Sequence, residues 1–508
     1  MSTAQTSDTR DADSAPAIST VVGTGERGSG GDGGQAASAQ LKGPLKIAMD
    51  STGTLYISDS GSHRLRKVTA DGEISTIAGT GTGGFGGDGG LAVEAQLRSP
   101  GALAVDSTGA VYFTDGGNQR VRKITADGTI STVAGTGKVG SDGDGCAATD
   151  AQLNAPSGVA VDNSGVLYVA ESNNHRVRKI TADGKISTVV GNGTKGAGGD
   201  GGPAIEAQLN LPQGLAVDAA GNLYIVDGFN CRVRKVTADG TISTVVGMGA
   251  PGSDGDGGPA AQAQLFGPTE LVVDSTGTLY IADTFNSRVR KVTADGTIST
   301  VAGTSKAGFS GDDGPAAKAQ LSMPSGLTVD GADALYIGDS GNCRVRKVTP
   351  VKTDGLPDSG TVAAWVNVRS KLRMGVSRES LRDGAEIRQS LASTRAHQKW
   401  QLVVVSQDDG DVLYTIENTR SGKVLEVVGA GTANGAAVAQ RAYEGDDAHH
   451  QQWRLIPADS ATGAPRVYEI ANHHSGLLLR VDTNGPAAIK QYGSEGDHRE
   501  RQWQLLPV

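Results

Sequence analysis

Six copies of an Arg-x-Arg-Lys segment recur along the chain, and guanidinium groups in such numbers can bind either phosphate or carboxylate. The copies begin at Arg64, Arg120, Arg176, Arg232, Arg288 and Arg344. A nucleic-acid groove and a ladder of internal ion pairs are the two interpretations. Aspartates surround every copy, as Asp218, Asp227 and Asp239 surround Arg232, and the net charge is -9. This balance favours the internal ladder and predicts no nucleic-acid partner.

Residues able to bind a metal also recur at fixed places. Each glycine-rich segment carries a Gly-Asp pair, with the aspartates at Asp32, Asp88, Asp144, Asp200, Asp256 and Asp312. One or two acids per loop are too few for calcium, so a turn-stabilising aspartate is expected. His63 and His175 are two ligands where a catalytic zinc wants about three. Cys231 and Cys343 share one repeat position, where loop filling is expected. The sequence predicts no metal, no cofactor and no catalytic residue.

The elements that hold these residues form a strict repeat. An Ile-Ser-Thr triplet begins at Ile18, Ile74, Ile130, Ile186, Ile242 and Ile298, each 56 residues after the last. One unit contains "GLAVD", "NLYIVD", "RVRKVT" and "TISTVVG" between residues 214 and 247, four segments of strand length. The "ADG" between the last two supplies the Asp-Gly of a tight hairpin. Four-stranded sheets around an axis predict a six-bladed β-propeller.

The two ends of the repeat region are incomplete in complementary ways. The chain opens with a lone "ISTVVG" at Ile18 and the last copy stops at "RVRKVTP", residues 344–350. Pairing these two segments completes the sixth blade and removes a bare sheet edge. Because the repeat region begins with a fourth strand and ends with a third strand, we predict that the N-terminal strand closes the ring.

The repeat unit, with "GLAVDAAGNLYIVDGFNCRVRKV" at its core, resembles the NHL-repeat family of six-bladed propellers. The resemblance covers residues 15–352 and implies the fold. Relatives of this fold include binding scaffolds, RNA-binding modules and a few lyases and hydrolases, so the resemblance does not assign a function.

The connections between the second and third strands vary most between copies, and we expect them to share one face with the glycine-rich loops. Phe229, Asn230, Phe285 and Asn286 lie in two of these connections, in adjacent blades. Phe85 and Phe309 lie at glycine-loop tips. An exposed aromatic could contact a sugar or a protein partner, or fold back over its own loop. Both alternatives stay open.

A second domain follows a Pro/Gly/Asp-rich linker at 353–360. All four tryptophans lie beyond it, three of them in "QKWQL", "QQWRL" and "RQWQL" about fifty residues apart. These triplicated motifs resemble the ricin B-type β-trefoil lectins over residues 361–508, which implies that the tryptophans belong to the core.

The same resemblance implies a sugar site made of an acid, a glutamine, an aromatic residue and an amide pair. The middle lobe offers Glu426, Gln440, Tyr443, His450 and Gln451. The first lobe has Gly375 and Leu391 where the acid and the aromatic would stand. The last lobe offers Arg480, Lys490 and Tyr492, secondary candidates that suit an acidic saccharide or are solvated cations.

The sequence thus predicts an all-β protein: a disordered tail over 1–14, a propeller and a β-trefoil. The expected function is carbohydrate binding by the trefoil, with the propeller as a rigid scaffold whose loop face could hold a protein partner. A purely structural or protein-interaction scaffold is the alternative. A glycan-acting enzyme is the second alternative, although no clustered carboxylate pair, nucleophile elbow or metal triad supports it.

Composition bears on location. No apolar run is long enough to cross a bilayer, and the start "MSTAQTSDTRDADSAPA" lacks the apolar segment of a signal peptide. We therefore expect a soluble protein without a membrane partner, either cytoplasmic or exported by a non-classical route.

Overall fold

The computed structural model describes residues 16–274, 276–331, 333–350, 362–367, 372–391, 396–408, 411–433, 436–445, 448–457, 467–480, 489–492 and 502–507. These residues form β-strands and short 3-10 turns and contain no α-helix, so the all-β prediction is confirmed. One compact unit spans Pro16–Pro350, and the residues after it form a second. The predicted tail at 1–14 and linker at 353–360 lie outside the described residues.

The first unit is a six-bladed propeller, as predicted. Its strands are β1 (Ala17–Val22), β2 (Gly34–Gln35), β3 (Pro44–Met49), β4 (Leu55–Asp59), β5 (Arg64–Val68), β6 (Glu73–Ala78), β7 (Pro100–Val105), β8 (Val111–Asp115), β9 (Arg120–Ile124), β10 (Ile130–Ala134), β11 (Pro156–Val161), β12 (Leu167–Glu171), β13 (Arg176–Ile180), β14 (Ile186–Val190), β15 (Pro212–Val217), β16 (Leu223–Asp227), β17 (Arg232–Val236), β18 (Ile242–Val246), β19 (Glu270–Val273), β20 (Leu279–Asp283), β21 (Arg288–Val292), β22 (Ile298–Ala302), β23 (Gly314–Pro315), β24 (Pro324–Val329), β25 (Leu335–Asp339) and β26 (Arg344–Thr349). The antiparallel blades begin at β3, β7, β11, β15, β19 and β24, and these first strands contact one another around a ring.

Twelve 3-10 turns connect these strands within the described part of the propeller. They are Ala36–Ser38, Ser60–Ser62, Ala92–Glu94, Gly116–Asn118, Ala148–Asp150, Ser172–Asn174, Ala204–Glu206, Gly228–Asn230, Ala260–Gln262, Thr284–Asn286, Ala316–Lys318 and Ser340–Asn342. Half of them lie at the end of a glycine-rich loop, in the Ala-x-x-Ala segment that precedes the first strand of a blade.

Ring closure follows the predicted pairing. β1 runs antiparallel to β26, with Ile18 opposite Val348 and Ala17 opposite Thr349. Ile18 and Val22 are fully buried there. The first strand of the chain therefore completes the sixth blade.

The apolar core of the propeller lies between neighbouring blades. One cluster joins Tyr112 and Val121 of the second blade to Val159 and Val169 of the third. This explains why "LYI"-type segments are apolar at consecutive positions, because a sheet between two others buries both of its faces.

The second unit is a β-trefoil. Its strands are β27 (Val362–Asn367), β28 (Arg373–Val376), β29 (Ala385–Ser390), β30 (Trp400–Asp408), β31 (Asp411–Asn418), β32 (Lys423–Val427), β33 (Val438–Arg441), β34 (Trp453–Pro457), β35 (Val467–Asn472), β36 (Leu478–Arg480), β37 (Lys490–Tyr492) and β38 (Gln502–Pro507), with 3-10 turns at Ser377–Glu379, Ala396–Gln398, Val428–Ala430 and His449–Gln451. Strands β27, β30, β31, β34, β35 and β38 pair in a closed ring, and β28–β29, β32–β33 and β36–β37 are hairpins.

The three Gln-x-Trp tryptophans occupy equivalent places in this core. Trp400, Trp453 and Trp503 are fully buried. Their indole N–H groups donate to the carbonyl oxygens of Met374, Leu425 and Leu479, respectively. Each tryptophan thus ties a barrel strand to its own hairpin.

Removing the closing strand tests the ring. A chain that starts at Gly23 loses the burial of Ile18 and Val22, so its free energy of unfolding should fall by about 3–6 kcal/mol. The bare edge of β26 should also promote association. Urea unfolding and light scattering measure both effects. A chain starting at Pro16 is the control, and equal stability of the two would contradict closure by β1.

Candidate functional site

The second arginine of each third strand is buried in its blade. These side chains are Arg66, Arg122, Arg178, Arg234, Arg290 and Arg346. Each pairs at 2.6–2.8 Å with the aspartate of the glycine-rich loop that leads into the same blade, for example Arg234 with Asp200. The predicted internal ladder is therefore present, and these guanidinium groups are not available to nucleic acid.

The aspartates of the glycine-rich loops do more than stabilise a turn. The carboxylate of Asp88 accepts hydrogen bonds from Arg122 on the third strand and from Thr132 on the fourth. Arg122 also donates to the carbonyl oxygen of Gln96, near the end of the same loop. One ion pair thus holds the loop across the outer edge of the blade.

The acid that ends each second strand forms the inner side of this network. Asp227 is fully buried, 3.6 Å from Arg234, and accepts hydrogen bonds from Asn230 and from the backbone N–H of Asn210. Burial raises the pKa of Asp227 to about 6, against the lowering effect of these donors. Asp339 in the sixth blade is in the same situation.

The connections between the second and third strands contact the glycine-rich loops, which puts both on one face of the propeller. Asn230 and Asn286 were both predicted to lie on this face, and the side-chain amide of each donates hydrogen bonds to two oxygen atoms. Asn230 donates to Gly196 O and to Asp227, and Asn286 donates to Gly252 O and to Asp283. These amides hold the loop face in place.

The histidines at the end of two of these connections link neighbouring blades. His63 Nδ1 accepts the backbone N–H of Ser99 at 3.1 Å, and His175 Nδ1 accepts that of Leu211 at 3.3 Å. Burial and nearby Lys195 lower the pKa of His175, which suits a neutral accepting ring. No group of three or more potential metal-ligating side chains occurs among the described residues.

The phenylalanines of the loop face fall into two groups. Phe229 and Phe285 are 66% and 53% exposed, and Phe285 meets Phe266 edge-on at a centroid distance of 5.2 Å. Phe85 and Phe309 instead lie against the guanidinium groups of Arg120 and Arg344, at 3.6 and 3.7 Å. The tip phenylalanines fold back onto these arginines yet stay 42% and 41% exposed, whereas Phe229 and Phe285 present more of their rings to solvent.

The central channel contains a charged pair that sequence reasoning missed. Lys46 Nζ lies 2.8 Å from Glu270 and donates to the carbonyl oxygen of Thr269 at 2.7 Å, and both charged side chains are largely buried. The equivalent positions elsewhere carry Ala102, Gly158, Gly214 and Gly326. Glu270 also borders a channel volume of about 180 Å³ lined by first-strand residues. An alignment of the six repeat units would have revealed the pair, because only two units carry a charged residue at this position.

The middle lobe of the trefoil brings its predicted residues together, with one addition. Glu426 is the next-to-last residue of strand β32 and its side chain is 1% exposed. Both of its carboxylate oxygens accept from Arg441 Nε, at 2.8 and 2.9 Å, and His450 Nε2 lies 3.7 Å away. The hydrogen bond to Glu426 raises the pKa of Arg441. The arginine was not among the predicted residues, although it directly follows Gln440 in the sequence.

The two glutamines of the predicted site are buried and bonded to backbone. Gln440 Nε2 donates to the carbonyl oxygens of Ser380 and Arg382, which fixes the neighbouring hairpin. Gln451 donates to Ala442 O and accepts from Glu444 N–H, which clamps the loop between them. In this geometry, the amides shape the site from beneath.

Tyr443 and His450 form the rim of the site. Tyr443 is 40% exposed on the clamped loop. His450 Nε2 also lies 3.8 Å from the carboxylate of Glu444. An imidazole and an arginine thus lie beside a buried acid, and an exposed aromatic ring stands on the loop that follows the arginine.

The other lobes differ from the middle one. Gly375 replaces the acid of the first lobe and is buried against Gln398 and His397. In the last lobe Arg480 lies opposite Lys490 in the register of the hairpin. Gln491 occupies the position that corresponds to Gln440, where its side chain donates to Gly431 O and accepts from the hydroxyl group of Ser475. The side chain of Tyr492 lies outside the described residues.

The fold, the loop face of the propeller and the middle lobe of the trefoil together define the class of protein. It is a β-propeller followed by a β-trefoil in which the middle lobe carries the acid of the predicted site. Comparison with known proteins agrees. The family "Ricin-type beta-trefoil lectin domain-like" matches residues 356–441, the NHL repeat matches 41–68, and the "Teneurin NHL domain" matches 82–142, 137–198 and 192–254. The chain carries NHL repeats that form a six-bladed propeller, followed by a ricin B-type β-trefoil domain.

Individual proteins show the same likeness. Mouse Teneurin-4 is 30% identical over 528 residues, which cover 95% of this chain and 17% of that protein. A protein of unknown function from Bacteroides thetaiotaomicron is 22% identical, with a TM-score of 0.49, over 65% of this chain and 75% of its own. The designed 3-fold symmetric protein ThreeFoil is 32% identical, with a TM-score of 0.26, over 29% of this chain and 99% of its own.

The chain spans only 10–17% of the length of the teneurins it matches. Among the described residues, no helix has the length and apolar character needed to cross a membrane.

The channel pair gives a test of the propeller interior. Lys46→Ala leaves the carboxylate of Glu270 buried without its cation, so the free energy of unfolding should fall by about 3–5 kcal/mol. The double variant Lys46→Ala/Glu270→Ala should lose much less, because Ala102 already fills this position in the second blade. Urea unfolding of both variants checks the coupling, and equal losses would contradict it, because removing the unpaired carboxylate would then restore no stability.

Proposed function

We propose that this protein binds carbohydrate through the middle lobe of its trefoil and that the propeller is a rigid scaffold whose loop face holds a protein partner. The geometry of the middle lobe is the observation that carries the first half. A half-exposed aromatic ring, donor groups and a shaped loop converge there, and shallow sugar sites combine these features.

The match to a lectin-like family supports the same half. The three lobes are unequal. The first lobe lacks both the acid and the aromatic residue of the predicted site. The last lobe has Arg480 and Lys490 where the middle lobe has Glu426 and Ala439. A single dominant site implies weak binding of one sugar, because little surface is buried.

Phe229 and Phe285 support the second half. Large apolar side chains that stay exposed on a rigid face are typical of interaction surfaces, and aromatic residues are enriched in the contacts that stabilise them. Their connections are fixed by Asn230 and Asn286, so the rings are presented without a large ordering cost.

A glycan array with the full chain tests sugar binding. Tyr443→Ser removes the exposed ring of the middle lobe and should weaken binding at least about tenfold, equivalent to about 1.4 kcal/mol. Leu391→Ser is the matched control, since Leu391 is an exposed apolar residue of the first lobe. If the folded wild-type chain binds no glycan, the scaffold alternative replaces the lectin proposal.

The propeller face is tested by comparative affinity capture. The double variant Phe229→Ser/Phe285→Ser should fail to capture proteins that the wild-type chain captures, because a few aromatic residues contribute most of the binding energy of a protein-protein interface. Phe85→Ser/Phe309→Ser is the control, since those rings lie on arginines. Identical protein sets from all three samples would rule out this face as the contact surface.

A further inference from the structure

We infer that Arg441 is the group of the middle lobe that contacts the ligand, and that the ligand is a saccharide bearing an anionic group, either a carboxylate or a sulfate. Glu426 then serves as a positioning residue that holds the guanidinium group in place. The inference rests on the proposed function and names the substrate class of the same site.

Burial shows which member of the pair can meet a ligand. The side chain of Glu426 is 1% exposed, whereas that of Arg441 is 39% exposed. Both carboxylate oxygens of Glu426 accept from Nε of Arg441. The acid is therefore covered by the arginine, and a sugar hydroxyl reaches the arginine first.

Displacing the arginine would be unfavourable. It would leave a buried carboxylate without its cation, a change that strongly destabilises proteins. A shallow pocket that buries little of one sugar cannot offset that cost. The pair should therefore persist in the complex, with Nε bound to Glu426 and the rest of the guanidinium group turned toward the ligand.

The guanidinium group has a fixed geometry that suits an anion. The contact with Glu426 uses the N–H of Nε, one of the five N–H donors of the guanidinium group. The terminal nitrogens form a planar fork that can donate two parallel hydrogen bonds to a carboxylate or sulfate. Hydroxyl groups of a neutral sugar lack that charge-assisted match. Specificity for an acidic saccharide follows from the fork.

Among the described residues, two further acids near the site, Asp383 and Glu444, contact nitrogen-bearing side chains. Asp383 pairs with Lys423 at 2.6 Å and also accepts the backbone N–H of Ala442. The hydrogen bond from Lys423 lowers the pKa of Asp383. Glu444 faces His450 at 3.8 Å. The ammonium group of Lys423 reduces the repulsion that an incoming anion would meet beside Asp383.

The experiment compares four forms of the full chain on uronate-terminated, sulfated and neutral glycans of matched length. Arg441→Lys keeps the charge and loses the fork. Glu426→Gln/Arg441→Gln removes both charges together, so no buried carboxylate is left unpaired. Arg388→Gln is the matched control, because Arg388 is a comparably exposed arginine that also donates through Nε to a glutamate, Glu386, in the first-lobe hairpin.

Wild type and Arg388→Gln should bind at least one acidic series at least tenfold more tightly than the neutral series. Arg441→Lys should bind that series about tenfold more weakly, and the double variant should not bind it. Raising the salt concentration should weaken the wild-type contact, since ion pairs at an exposed rim are screened. The series that binds identifies the anion as carboxylate or sulfate. Thermal unfolding verifies that all four forms are folded.

Three results would overturn the inference. Preference for neutral glycans, or acidic binding that survives in the double variant, would refute the role of Arg441 and leave the lectin proposal standing. Absence of binding to any glycan by the folded wild type would refute the proposed function together with the inference.

Discussion

The structure of the propeller depends on a buried guanidinium group in the third strand of every blade. A charge removed from water is tolerated only when it is paired and its donors are satisfied. Arg122 meets this requirement with Asp88 in the preceding loop, Asp115 at the end of the second strand and the carbonyl oxygen of Gln96. One side chain therefore fixes a strand end and two points of a long loop.

The loop that this arginine holds protects the blade edge. In the first blade Gly34 pairs with Ile74 of the outermost strand, and Ala36 donates to the carbonyl oxygen of Gly72. The outer strand is thus covered by backbone from the neighbouring connection, which removes an edge that could pair with another molecule. Glycine is required along this path: a Cβ on Gly31, where φ is +100°, would lie 2.7 Å from the Cα of Ala39.

Much of the fold could be predicted, because its determinants repeat or lie close together in sequence. The period placed the strands, the incomplete ends placed Ile18 beside Val348, and the Gln-x-Trp motifs placed the tryptophans in the trefoil core. The sequence could not show which aspartate pairs with which arginine. The bond from Arg66 to Asp32 spans 34 residues and depends on the path of the glycine-rich loop, which the repeat period does not specify.

The candidate site of the trefoil was predicted less completely for a related reason. A resemblance names the residue types of a site but not the contacts they make, and contacts depend on strand register. Register puts Gln491, not Lys490, in the place of Gln440, and it puts Arg441 over Glu426. The burial of Gln440 and Gln451 likewise follows from packing beneath the loop.

The two domains use the same ion pair in opposite senses. In each blade the arginine is the buried member and the loop aspartate is the exposed one, as with Arg234 and Asp200, at 0% and 43% side-chain exposure. In the middle lobe the acid is buried and the arginine is exposed. An arginine-carboxylate pair is neutral overall, so what it offers to a ligand is set by the member that faces solvent. In the blade pair the solvent-facing member is therefore the carboxylate, a hydrogen-bond acceptor, and in the middle lobe of the trefoil it is the guanidinium group, a donor.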